Sequence, residues 1–162
     1  MRLPMTLFPA DQPQTGRSLA RLAMVLVAPL MIGAVVSGLY RLGWELPLPQ
    51  PNLALAHGPL FVGGVLGTLI SLERAVALGR PWAFVSPVLT ASGGLTLLIG
   101  LPGALGATLI TLGSGSLLAV FAVILPRMPA RFLVSMALGA LSWLCGNLLW
   151  LVGQPVALVV PW

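Results

Sequence analysis

The chain has 162 residues, of which 58% are hydrophobic and only 7% charged, and its mean hydropathy is +1.04. A soluble domain carries about 25% charged residues to cover its core with polar surface, so this composition excludes an ordinary water-soluble globule and implies a hydrocarbon solvent. The net charge of +5 comes from eight Arg and no Lys, set against Asp11, Glu45 and Glu73. The arginines stand singly at the ends of apolar runs and form no basic face, which argues against nucleic acid as a partner.

Residues 1–17 are mixed and polar, with Pro4, Pro9, Asp11, Pro13 and Arg17. They read as a short cytoplasmic tail with an interfacial patch at Leu7 and Phe8. The apolar stretch that follows is too long for a signal-peptide h-region and lacks a small-residue cleavage site. Residues 18–162 read as a single transmembrane domain.

The first span is expected over 22–40, between Arg21 and Arg41. That matches the roughly 20 residues needed to cross a hydrocarbon core. Pro29 lies inside it, where a membrane helix tolerates proline at the expense of one freed carbonyl. The connection 41–52 holds Trp44, Glu45 and three prolines. It is the longest polar loop and is expected to carry interfacial structure. The second span is expected over 53–72, closing with Glu73-Arg74 and a basic turn, Gly79-Arg80-Pro81-Trp82.

The third span is placed at 84–101 and ends at Pro102-Gly103, a turn signal. The fourth is placed at 104–125 and stops at the Pro126–Arg131 segment. The fifth is placed at 132–152 and breaks at Gly153-Gln154-Pro155. The final stretch, Pro155–Trp162, is apolar but would rise only about 12 Å as a helix. It reads as an interfacial tail, or as the start of a sixth span in a truncated or split protein. The expected fold is all-α, an integral membrane helical bundle of about five transmembrane helices.

Orientation follows from the arginines. The tail and the turns at 74–80 and 126–131 hold every Arg except Arg41. Positive charge collects on the cytoplasmic side of short loops. This places the N-terminus inside and the 41–52 loop outside, in a multi-pass protein of a bacterial inner membrane. Trp44, Trp82 and Trp162 fall near the expected interfaces, as an aromatic belt would.

His57 is the sole histidine, and it falls near the outer end of the second span. On an ideal α-helix Gly64, Thr68 and Ser71 lie on its face, a narrow strip of small residues that a helix or a flat cofactor can approach closely. An ionisable residue at such a place is a functional candidate, and neutral imidazole is a common metal ligand. His57 is therefore the candidate ligand for haem, another metal or a pigment. The alternative is an interfacial histidine that hydrogen-bonds a neighbouring helix.

Glu73 and Arg74 read as a structural ion pair and inside anchor, with a proton relay as the sharper alternative. Gly63, Gly64 and Gly67 in span two, and Gly139 and Gly146 in span five, are candidate helix-packing positions, and Asn147 is a candidate interhelical hydrogen bonder. Cys145 is the one cysteine, so an intrachain disulfide is excluded; it reads as a small buried or lipid-facing residue. No paired carboxylates, phosphate loop or nucleophile–base set can be assembled, so no catalytic residue is assigned.

The stretch from His57-Gly-Pro-Leu-Phe-Val-Gly-Gly through Leu-Glu-Arg-Ala-Val-Ala-Leu78 resembles part of a bacterial family of polytopic membrane proteins. It is also distantly similar to the NnrS family of haem- and copper-containing membrane proteins linked to nitric oxide metabolism. His57 matches one histidine of that pattern, and Gly63-Gly64 stand near its Gly-Phe pair. The resemblance implies a haem-type role for His57 and a missing C-terminal half. The sequence departs in having Pro59 and no second histidine.

Three functions are consistent with these residues. One is a non-enzymatic accessory or structural subunit of a larger membrane complex, whose glycine-rich faces meet other membrane subunits and lipid. Another is a haem- or metal-binding membrane protein using His57. The last is half of a transporter-like bundle.

Overall fold

The computed structural model describes residues 14–46, 51–155 and 159, and every regular element among them is helical. The Leu7–Phe8 patch, Trp162 and most of the apolar end lie outside the described residues.

Five α-helices are present: α1 Gln14–Arg41, α2 Gly67–Leu78, α3 Val85–Leu98, α4 Gly103–Ile124 and α5 Arg131–Leu151. Short 3-10 turns at Pro51–Ala56 and Pro81–Phe84 precede α2 and α3, and a wide π-helical segment, Pro59–Leu66, leads directly into α2. Together these make five helical stretches long and apolar enough to cross a membrane by length and composition: Ser18–Arg41, Pro59–Leu78, Pro81–Leu98, Gly103–Ile124 and Arg131–Leu151. In a hydrocarbon solvent a helix satisfies its backbone hydrogen bonds within its own segment.

The second stretch differs most from expectation. Its 3-10 turn occupies Pro51–Ala56, the π segment starts at Pro59, and the helix continues beyond Glu73-Arg74 to Leu78. The charges do not stop the helix. Gly79 does, with φ of 66° and its N–H bonded to the Ala75 carbonyl. Glycine takes this left-handed conformation at no steric cost, and it closes helices for that reason. Within the π segment, the Gly67 N–H reaches back five residues to the Val62 carbonyl, the signature of a widened turn.

Successive helices run antiparallel, and three buried clusters hold them. One joins Leu30 and Ala34 of α1, Leu60 and Val65 of the π segment, Leu97 of α3 and Ile110 of α4. A second, at the opposite end, joins Ala23, Leu72, Ala75, Phe84 and Val120. The third ties α4 to α5 through Leu117, Phe121, Leu133 and Ala140. The second cluster unites the start of α1, the end of α2, the 3-10 turn before α3 and the end of α4. Arg21, Arg74, Arg80, Arg127 and Arg131 therefore gather at one end of the bundle, and Arg41 stands at the other.

The central helices approach through glycine. A Cβ on Gly94 of α3 would lie 2.9 Å from the Gly64 Cα of the π segment, and one on Gly93 would lie 2.9 Å from the Gly106 carbonyl oxygen of α4. Backbones this close exchange dispersion directly, which is how helices attract one another in lipid. The outer helices are less covered: 28% of the apolar window of α1 and 22% of that of α5 are buried, against 56% for the stretch containing α3.

Candidate functional site

Two features stand out from the packed interior: the corner that holds His57 and a groove on the α4–α5 side. His57 sits just before Pro59, where the chain turns from the 3-10 segment into the π segment. Its Nδ1 lies 2.7 Å from the Ala34 carbonyl oxygen of α1. A carbonyl only accepts, so Nδ1 donates, and in the neutral ring the lone pair resides on Nε2. The ring rests against α1 at Gly38, where an added Cβ would be 2.8 Å from the ring Cε1. On its other side it stacks on Phe61, with centroids 6.3 Å apart and planes 19° from parallel.

Ala34 carries a second guest, because the Ser37 hydroxyl also donates to its carbonyl at 2.9 Å. The partners Ala34, Gly38 and Phe61 escaped the sequence reading. Their one signal was Gly38 itself, a small residue one turn beyond Ala34 on the same helix face.

The expected common face of His57, Gly64, Thr68 and Ser71 is not kept. His57 faces α1 alone, Gly64 sits between Leu30 of α1 and Gly94 of α3, and Thr68 faces α3, its hydroxyl 3.1 Å from that of Thr90. The intervening π turn holds an extra residue, so a 100° step per residue no longer carries His57 onto the Thr68 face.

The polar side chains further inside serve packing. Ser86 Oγ donates to the Gly113 carbonyl across the α3–α4 contact at 2.8 Å. The Thr111 hydroxyl lies 2.7 Å from the Ala107 carbonyl of its own helix and 3.3 Å from that of Asn147 in α5. Asn147 thus joins α4 and α5 through its backbone carbonyl, while its side-chain Nδ2 is buried without a partner.

Gly63, Gly64 and Gly67 are all buried. A Cβ on Gly63 would meet Ile110 at 2.9 Å and one on Gly67 the Trp143 ring at 2.5 Å. Gly146 is also buried. Gly139 is not a packing position within this chain: it is exposed, and a Cβ there would meet nothing within 4 Å. It borders the open groove that Phe121 of α4 and Ile70 of α2 also line. Cys145 is a half-buried free thiol.

Glu73 and Arg74 form an ion pair between neighbouring side chains. They differ in setting: the Glu73 side chain is 63% exposed and that of Arg74 only 14%. Arg74 Nε is buried and has no hydrogen-bond partner.

The groove is an apolar, half-open cavity of about 370 Å³. Val62, Gly67 and Ile70 of the second stretch, Phe121 of α4, and Gly139 and Trp143 of α5 line it. Among the described residues no group of three or more His, Cys, Asp or Glu side chains converges on a point.

The model of one protein family, Domain of unknown function (DUF8744), matches residues 19–162. The chain belongs to that family. No curated protein and no solved structure matches it. The matched stretch of this DUF8744 chain takes in α1 from residue 19 onward, α2 to α5, the His57 corner and the groove.

Proposed function

We propose that the protein spans a bacterial inner membrane with its arginine-rich end in the cytoplasm, and serves there as a non-catalytic accessory subunit. The observation that carries this reading is the unequal burial of its helices. The central stretches are closed by glycine contacts and hydroxyl-to-carbonyl bonds, while α1 and α5 leave most of their apolar windows uncovered. Apolar faces of this kind suit other membrane helices. Purification in a mild detergent with native mass measurement tests the idea. The expected result is a stoichiometric assembly that tolerates His57→Ala and is weakened by Phe132→Ala with Leu138→Ala on the exposed side of α5. A chain that remains a monodisperse monomer in its native membrane extract would overturn it.

A second reading has one observation in its favour. The Nδ1 bond to Ala34 leaves the Nε2 lone pair for a ligand, and metal-bound histidines commonly donate their other ring nitrogen to a backbone carbonyl. The chain supplies a single imidazole, and His57 is the residue that would hold haem iron. It does not fit zinc or copper sites, which draw three or four ligands together. Haem would bring a redox-active iron, and this chain's contribution would be to orient His57 through Ala34, Gly38 and Phe61. A visible absorbance band lost in His57→Ala would support it; a colourless chain from haem-replete cells would refute it.

A further inference from the structure

Net charge collects at one end of the bundle. Among the described residues that end holds Arg17, Arg21, Arg74, Arg80, Arg127 and Arg131 against Glu73, six cations and one anion that leave +5. At the other end Arg41 and Glu45 cancel. Glu73 pairs with Arg74. Arg21, Arg80, Arg127 and Arg131 are left exposed and without an acid among the described residues.

The membrane-length stretches fix the depth of these four. Arg21 lies three residues inside the start of Ser18–Arg41, Arg80 one residue before Pro81–Leu98, Arg127 three residues beyond Gly103–Ile124, and Arg131 opens Arg131–Leu151. Three residues are about 5 Å of helix, and the headgroup layer of one leaflet is about 5–8 Å deep. In a bilayer, guanidinium groups at that depth stand level with lipid phosphate. Each also has an exposed large apolar neighbour: Leu22 beside Arg21, Trp82 two residues after Arg80, Met128 beside Arg127 and Phe132 beside Arg131. An apolar side chain next to a cation suits the boundary between acyl chains and headgroups. An acidic polypeptide would need the cations gathered on one water-facing surface, whereas they are divided among α1, the turn before α3 and the α4–α5 connection.

We propose that Arg21, Arg80, Arg127 and Arg131 form a collar that holds the headgroup phosphates of anionic phospholipids in the leaflet at the arginine-rich end. The planar guanidinium fork matches phosphate. A zwitterionic headgroup carries its own cation and is attracted less. The opposite end, where Glu45 offsets Arg41, has no such preference. The collar rests on the membrane-spanning part of the proposed function and not on the subunit or haem roles.

Native mass spectrometry of the full chain in mild detergent, after adding back phosphatidylglycerol and phosphatidylcholine with identical tails, tests it. Each arginine of the collar should retain one phosphatidylglycerol about fivefold over phosphatidylcholine, the attraction of one basic residue for an anionic surface. Arg21→Gln, Arg80→Gln, Arg127→Gln and Arg131→Gln should each remove one phosphatidylglycerol, and the four combined should retain the two lipids alike. Lysine at the same positions should keep the preference, and Arg41→Gln should leave it unchanged. An undiminished preference in the combined glutamine variant overturns the collar, as does an equal loss in the lysine variant or in Arg41→Gln. Displacement by inorganic phosphate at the same concentration also overturns it, because the arginines would then hold a free anion. So does tighter retention of polyglutamate, which would assign them to an acidic polypeptide. Alkaline carbonate extraction of the host membranes separates the two levels. Release of the chain overturns the membrane reading and the collar together, whereas a chain that stays in the membrane without preferring phosphatidylglycerol overturns the collar alone.

Discussion

Gly94→Ala puts one of the close backbone approaches in the bundle under direct strain. The new methyl would sit 2.9 Å from the Gly64 Cα and 3.1 Å from both Leu30 methyl carbons. Leu30 is fully buried and cannot swing aside. Ordinary carbon contacts lie at about 3.5–4.0 Å, so α3 and the π segment must part by roughly 0.5–1 Å. Overpacking costs about 1–3 kcal/mol, and contact with a backbone atom places this case in the upper half of that range. Alanine returns about 1 kcal/mol in helix propensity. The net loss is then about 1–2 kcal/mol. Gly139→Ala is the matched control, because its methyl meets nothing and it takes only the propensity gain. The two variants should differ by about 2–3 kcal/mol in unfolding by sodium dodecyl sulfate from mixed micelles, followed by tryptophan fluorescence. Equal midpoints for the two would refute the Gly64–Gly94 contact, and with it the packing of α3 against the π segment.

Two further outcomes follow from the hydrogen bonds. Ser86→Ala removes the bond to the Gly113 carbonyl and should cost about 0.6 kcal/mol, the usual worth of a hydrogen bond between membrane helices; the same unfolding titration reads it. His57→Ala and Gly38→Ala both separate the imidazole from Ala34, the first by deletion and the second by a methyl 2.8 Å from the ring. Each should raise the hydrogen-exchange rate of the Leu60–Val62 amides about fivefold, in line with a bond worth roughly 1 kcal/mol. Unaltered exchange in both would show that the ring does not anchor the π segment.

The helices were legible in the sequence wherever a charge or a proline coincided with a real helix end. The expected spans at 104–125 and 132–152 differ from α4 and α5 by a residue or so, because Pro102-Gly103, the Pro126–Arg131 segment and Gly153 mark both ends. The second stretch was misplaced for a definite reason. Leu53–Ala56 is as apolar as a membrane span, so hydropathy cannot tell its 3-10 turn from helix, and Ala75–Leu78 lies beyond two charges that interrupt hydropathy without interrupting hydrogen bonding. The His57 corner was legible as a residue and not as a site. Its partners come from α1, and no local pattern links Ala34 to a histidine in the next element. Gly139 shows the same limit from the other side: small residues at helical spacing mark a face that permits close approach, and only the fold decides whether anything approaches it.

The π segment sets how this chain tolerates insertions and deletions. One residue removed between Pro59 and Leu66 would let the widened turn relax to an ordinary α-helix, so the helix itself would survive. Everything upstream would then rotate by about 100° and shift by about 1.5 Å relative to α2. His57 would swing off Gly38 and lose the Ala34 carbonyl, while Thr68 and Ser71 kept their places. Sequences with and without that residue would carry the same five apolar stretches, yet only one of the two lengths would present its imidazole to α1.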